Sequence, residues 1–148
     1  MTSKSEPNVD SVTLLKLFFE TYDAMSEAVA DVLAELELSQ SQATMLWALE
    51  PSSPPMPMRA LARKLQFDPS NITLMSDRLA AAGLIERRPH PTDGRQRVLV
   101  LTDKGLKVWH LLIRRLEERS PVFTKLSKPE QAQLTELLAK AQAKSPLL

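Results

Sequence analysis

Between Met58 and Gly105 the chain reads MRALARKLQFDPSNITLMSDRLAAAGLIERRPHPTDGRQRVLVLTDKG, and this stretch narrows the possible folds more than any other. It opens with a short amphipathic helix and a turn. A second helix is sharply punctuated: Asp68 suits the N-cap, Pro69 the first helical position and Gly83 the residue past the end. Ile72, Met75, Leu79 and Ala82 recur at helical spacing and are predicted to face a core. Ser70, Asn71, Thr73, Leu74 and Asp77 then point the other way, as a small and mostly polar face that fits a DNA major groove. Leu84 to Arg88 and Gln96 to Leu101 are too short for helices and rich in branched residues, so they predict a hairpin with Arg95 near its tip. Helix, turn, polar helix and arginine-tipped hairpin make a winged helix-turn-helix.

The flanks predict helices only. Residues 1–8 are expected to be disordered. From Val9 to Leu38 the apolar positions Val12, Leu15, Phe18, Phe19, Tyr22, Met25, Val29, Val32, Leu33 and Leu36 keep helical period, with no glycine or proline inside. Ser39 and Gln42 form a capping-box pattern that opens a second helix through Glu50, with Ala43, Leu46, Trp47 and Leu49 expected to be buried. Pro51 to Pro57 reads as a rigid, extended connection. After the hairpin, Thr102 or Asp103 caps a helix with the stripe Leu106, Trp109, Leu112, Ile113 and Leu116, which Pro121 is expected to end. Ser127 and Glu130 suggest another capping box, opening a last helix with Leu134, Leu137, Leu138 and Ala141. The fold class is therefore mainly α with a small β-hairpin wing. Residues 9–50 and 106–148 flank a core of 51–105 as supporting and dimerisation helices.

Charge is distributed unevenly. The formal net charge is only +1, yet residues 1–50 sum to −7, residues 51–116 to +7 and residues 117–148 to +1. A basic middle beside an acidic head suits a segment that meets a polyanion. The chain has no cysteine, so disulfides, thiolate zinc sites and cysteine-based redox sensing are excluded. Two histidines cannot assemble a histidine metal cluster, and three scattered glycines form no phosphate loop. Glu117 and Glu118 sit on adjacent helix positions and point apart, so no catalytic constellation is found. No cofactor or metal is expected. No apolar run spans a membrane and the start MTSKSEPN is polar, so the expected location is the cytoplasm.

The runs DPSNIT, DRLAAAGLIERR and TDGRQRVLVLTDKG, in that order and spacing, resemble the DNA-binding core of MarR-type transcription regulators. Many members carry Asp-Arg-Arg at the wing tip, whereas this chain has Asp93-Gly94-Arg95. The resemblance implies a homodimer on a pseudo-palindromic operator, as a repressor, and a pocket for a lipophilic or phenolic effector between the dimerisation helices and the core. Phe18, Tyr22, Met25, Trp47, His110 and Arg114 are the candidates for that pocket, with ordinary core packing as the alternative for each aromatic. An interaction module that uses the fold without DNA is the rival reading.

Several residues are candidates for DNA contact. Pro69 and Ser70 open the second core helix, where backbone N–H groups favour a phosphate; capping is an equal role for Ser70. Asn71, Thr73, Leu74 and Asp77 face the groove. Arg78 can reach a phosphate or pair nearby. Arg59, with Arg63 and Lys64, lies on the preceding helix. On the hairpin, Arg95 suits a narrow minor groove. Arg88, His90, Gly94 and Arg97 lie around it with Arg87, some of them structural. Asp93 would repel DNA unless it accepts hydrogen bonds from Arg95 or Arg97.

Overall fold

The computed structural model describes residues 10–142; the 1–8 segment expected to be disordered lies outside them. The elements, in order, are α1 (Ser11–Glu35), α2 (Gln40–Ala48), α3 (Met58–Leu65), α4 (Pro69–Ala81), β1 (Ile85–Pro89), β2 (Arg97–Leu101), α5 (Asp103–Arg119), α6 (Pro121–Lys125) and α7 (Lys128–Gln142). This is the mainly helical fold with one antiparallel hairpin that the sequence predicts. The chain divides into two compact units, Val32–Arg115 and Met1–Asp31 with Leu116–Leu148. Among the described residues, no helix is long and apolar enough to cross a membrane.

The Val32–Arg115 unit holds a dense core. Met45 and Leu46 of α2, Leu61 of α3 and Leu79 of α4 are fully inaccessible, with Leu99 of β2 nearly so. α2 packs on α3 and α4, α3 on α4 and β2, and α4 on β1. The expected capping box at Ser39 forms in both directions. Two expectations about burial fail. Trp47 is exposed, because the buried side of α2 is set by Met45, Leu46 and Ala48, and Trp47 lies on the opposite side of the helix. Ala82 is also exposed, because α4 ends at Ala81 and the next buried side chain is Leu84, on the approach to β1. Asp68 has the extended backbone of an N-cap but no side-chain capping bond. The proline-rich connection begins as a turn, closed by Ser53 N–H donating to the Glu50 carbonyl at 3.0 Å. It becomes extended only towards Pro57, which bridges Val98 alongside the hairpin.

The Leu101-Thr102-Asp103-Lys104-Gly105 run clasps the end of α4. Gly83 adopts φ +73°, a left-handed conformation that glycine takes without steric penalty. The Thr102 hydroxyl donates to the Gly83 carbonyl at 2.6 Å and accepts from Gly105 N–H at 3.0 Å, so Thr102 rather than Asp103 caps α5. Thr102 N–H donates to the Leu84 carbonyl at 3.1 Å, and Lys104 Nζ reaches the Ala82 carbonyl at 2.7 Å. Gly105 is buried so close to this strand entry that a Cβ would stand 1.8 Å from the Leu84 carbonyl oxygen. Thr102 and Lys104 thereby satisfy the carbonyls of Ala82, Gly83 and Leu84 just past α4, which would otherwise cost about 1–3 kcal/mol each if buried.

The other unit is built differently. Asp10 caps α1, accepting from Val12 N–H at 3.2 Å and from the Thr13 hydroxyl at 2.8 Å. The Thr13 hydroxyl is the main reason its carboxyl is held below the ordinary range. Beyond this cap, Val12, Leu14, Leu15, Leu17, Phe18, Phe19 and Tyr22 are all more than half exposed. Pro121 does not simply stop α5. It occupies the first turn of α6, behind Ser120 as N-cap, a short helix that periodicity is too brief to reveal. The Ser127 box is half formed: Ser127 N–H donates to Glu130 at 2.8 Å, but its hydroxyl donates to the same carboxylate at 2.7 Å. Leu137 and Leu138 on α7 are exposed.

Candidate nucleic-acid interface

Burial of Ile72, Met75 and Leu79 fixes which way α4 faces, and leaves Pro69, Ser70, Thr73, Leu74, Asp77 and Arg78 exposed on its other side, with Asn71 half-buried. This is the face the sequence predicts. Its chemistry is less polar than its letters. The Thr73 hydroxyl donates to the Pro69 carbonyl at 3.0 Å, and the Ser76 hydroxyl is buried on the Ile72 carbonyl. Asp77 is held by Arg87 of β1 in an ion pair of 2.6 Å. Arg87, not Arg78, is thus the partner of this carboxylate. An exposed pair of this kind contributes well under 1 kcal/mol to stability, but it neutralises a negative charge on the outward face.

The hairpin is in register from Ile85 opposite Leu101 to Pro89 opposite Arg97. Its tip closes through His90 N–H on the Gln96 carbonyl and Gln96 N–H on the Asp93 carbonyl, both at 2.9 Å. Asp93 accepts hydrogen bonds as expected, but from different donors. Arg95 gives its backbone N–H at 3.1 Å, and the Gln96 side-chain amide donates at 2.7 Å; neither the Arg95 guanidinium nor Arg97 takes part. The Gln96 amide is the first cause of the lowered Asp93 pKa, with Arg95 N–H second and the His90 charge a further contribution. Gln96 is a wing-tip residue that sequence reasoning missed. The signal was available: an Asp followed two residues on by a backbone donor is an Asx-turn, and Gln96 stands one residue further.

Arg88 pairs with Glu86 along its own strand. Among the described residues, Arg59, Arg63, Arg78, Arg95 and Arg97 are exposed and hold no ion-pair partner, so their charge faces outward. His90 is half-buried, and its Nδ1 lies 3.1 Å from the Thr92 hydroxyl, so it supports the tip. Gly94 is exposed, and a Cβ there would meet nothing within 4 Å. Exposed cations along α3, α4 and the wing, beside a helix face whose one carboxylate is neutralised, are suited to a phosphate backbone.

Residues 38–96, from the approach to α2 through the wing tip, match the family model described as MarR family. That segment is similar to the MarR family. No curated protein sequence matches the chain. Among solved structures, apo MarR from E. coli is 25% identical, with a TM-score of 0.66 over 87% of this chain and 96% of that one. CouR from Rhodococcus jostii RHA1 bound to p-coumaroyl-CoA is 19% identical, with a TM-score of 0.70 over 97% of this chain and 100% of that one. NadR in complex with 4-hydroxyphenylacetate is 20% identical, with a TM-score of 0.69 over 98% and 100%. The family match over residues 38–96 and the winged-helix fold together support a DNA-binding transcription regulator.

The six effector candidates fall in both units. Phe18 and Tyr22 are exposed and Met25 half-buried in one; Trp47, His110 and Arg114 are exposed in the other. A cavity of about 280 Å³ lies within the Val32–Arg115 unit, between the proline-rich turn and the end of the hairpin, lined by Leu49, Pro55, Met56, Leu99, Leu101 and Leu106 among others. None of the six candidates lines it.

Proposed function

We propose that this protein is a homodimeric repressor that binds a pseudo-palindromic duplex, with α4 of each protomer in a major groove and each wing over a flanking minor groove. The observation that carries the reading is the pairing of an outward α4 face with a wing whose Arg95 guanidinium is left free by the Asp93 turn. Ser70 and Arg78 are the phosphate contacts of α4, with Pro69 packing beside the DNA backbone without a hydrogen bond; Asn71, Thr73 and Leu74 are its groove contacts, and Asp77 holds Arg87. Arg59 on α3 and Arg97 on the wing add phosphate contacts, while Arg88, His90, Asp93 and Gly94 shape the wing. The exposed leucines and aromatics of α1, with Leu137 and Leu138, need cover, and a second copy of the chain supplies it. Dimer symmetry then sets half-sites about 10 base pairs apart. Relatives of this fold carry 4-hydroxyphenylacetate or p-coumaroyl-CoA, so a phenolic or other lipophilic effector that changes the spacing of the two α4 helices is the regulatory reading.

The test is selection of duplexes from a random pool, followed by titration across salt. Dyad-symmetric sequences should be enriched, and affinity should fall by roughly 0.9 log units per phosphate contact for each tenfold rise in salt. Enriched duplexes without a dyad would sink the dimeric arrangement. Binding that ignores salt, or no duplex binding, would leave a protein-interaction module as the better account.

A further inference from the structure

Leu74 stands out on the outward face of α4. Between Pro51 and Leu116, no other Leu, Ile, Val, Met, Phe or Trp side chain is exposed, while Leu74 is 48% accessible. Single exposed leucines are ordinary on protein surfaces. This one sits in the middle of the helix, three residues from Asn71 and four from Arg78, so the three share one stripe. The neighbours that could have made the stripe more polar are engaged elsewhere: Thr73 donates to Pro69, Ser76 is buried on Ile72 and Asp77 is held by Arg87.

We infer that Leu74 reads the C5-methyl group of a thymine in the major groove. The inference rests on the DNA-binding reading above and adds the chemistry of one base position. An isobutyl group offers no hydrogen bond, so on entering the groove it gains only by covering something apolar. The four base pairs present donors and acceptors on their major-groove edges, and the thymine methyl is the apolar group among them. The surroundings suit that approach. Asn71 can pair with a base edge one turn away, Arg78 carries an unpaired cation on the other side, and Asp77 is neutralised so that it does not repel a phosphate.

The test uses the full chain and a duplex selected from a random pool, in which each thymine in turn, with its dyad mate where there is one, is replaced by deoxyuridine. This removes the methyl and leaves every hydrogen-bonding group in place. One thymine position should weaken wild-type binding about fourfold for each methyl removed, hence about fifteenfold where its dyad mate is replaced with it. For Leu74→Ala, which should melt as the wild type does because the side chain is exposed, the same replacement should change affinity less than twofold. The wild-type ratio should persist as salt rises, because no counterion is released by a methyl contact. No thymine position with such a loss, or an equal loss in Leu74→Ala, would overturn the assignment while leaving DNA binding in place. A pool that enriches no sequence would overturn the DNA-binding reading, and this assignment with it.

Discussion

In Val32–Arg115, Met45, Leu46, Leu61 and Leu79 vanish from solvent; from Val12 to Tyr22 of α1, leucines and phenylalanines stay more than half exposed. Both stretches have sound helical periodicity, so pattern alone does not separate them. The difference lies in how many elements meet over each stripe. Three helices and a hairpin converge on Leu46, Leu61 and Leu79, and each covers the others. The stripe at the start of α1 is left open within one copy of the chain. An apolar stripe is a demand for a partner; the Val32–Arg115 unit meets that demand from within, and the start of α1 does not.

Substitutions can sharpen or break this contrast. The largest effect is expected from Gly105→Ala. Its Cβ would collide with the Leu84 carbonyl, a backbone atom that has no easy retreat, so the clasp between α5 and α4 must open. We expect a loss on the order of 3 kcal/mol in a denaturant melt; a loss below about 0.5 kcal/mol would show that the close approach is not needed.

Leu15→Asp probes the open stripe. Burying an unpaired carboxylate in an interface costs several kcal/mol, so sedimentation should show monomers. DNA affinity should collapse even though every proposed contact residue is unchanged. A soluble monomer that binds a dyad-symmetric duplex with wild-type affinity would defeat the dimer argument.

Smaller effects separate α4 from the wing. Asn71→Ala should relax base preference at one or two positions, by about 1–3 kcal/mol, whereas Arg95→Ala should weaken binding to all flanking sequences and lower the salt slope by about one contact. Equal losses on selected and random duplexes for both variants would erase that division of labour. Gly94→Arg is the converse experiment. With open space around the position, melting should not move, and duplex affinity should rise as one more cation is added to the tip. An unchanged affinity would place the tip away from the phosphates.

The smallest effect concerns pH. The Asp93 carboxyl is held below its ordinary pKa of 3.8 by the Gln96 amide and Arg95 N–H. A depressed carboxyl contributes its order fully above the unfolded value and loses it as pH falls through the lower folded value. The wing turn should therefore be insensitive to Asp93 titration between about pH 5 and 8. Carboxyl carbon shifts followed by NMR check this, and an Asp93 transition within that window would contradict the turn described here.

Residue order determined a good deal by itself. The spacing of Ile72, Met75 and Leu79 chose the buried side of α4, Asp68-Pro69 and Gly83 marked its ends, and two short runs rich in branched residues marked the hairpin. These are local rules, acting over one or two turns of chain, so a linear reading contains them. Tertiary structure decided what depends on residues distant in sequence. Trp47 is exposed because the arrival of α3 and α4 chose Met45, Leu46 and Ala48 as the covered side of α2. Asp77 is neutralised because β1 brings Arg87 to it from ten residues away. Gly105 is obligatory because Leu84, twenty-one residues earlier, passes where a side chain would stand. A side chain's period says that it needs a neighbour, and only the folded chain says which neighbour comes.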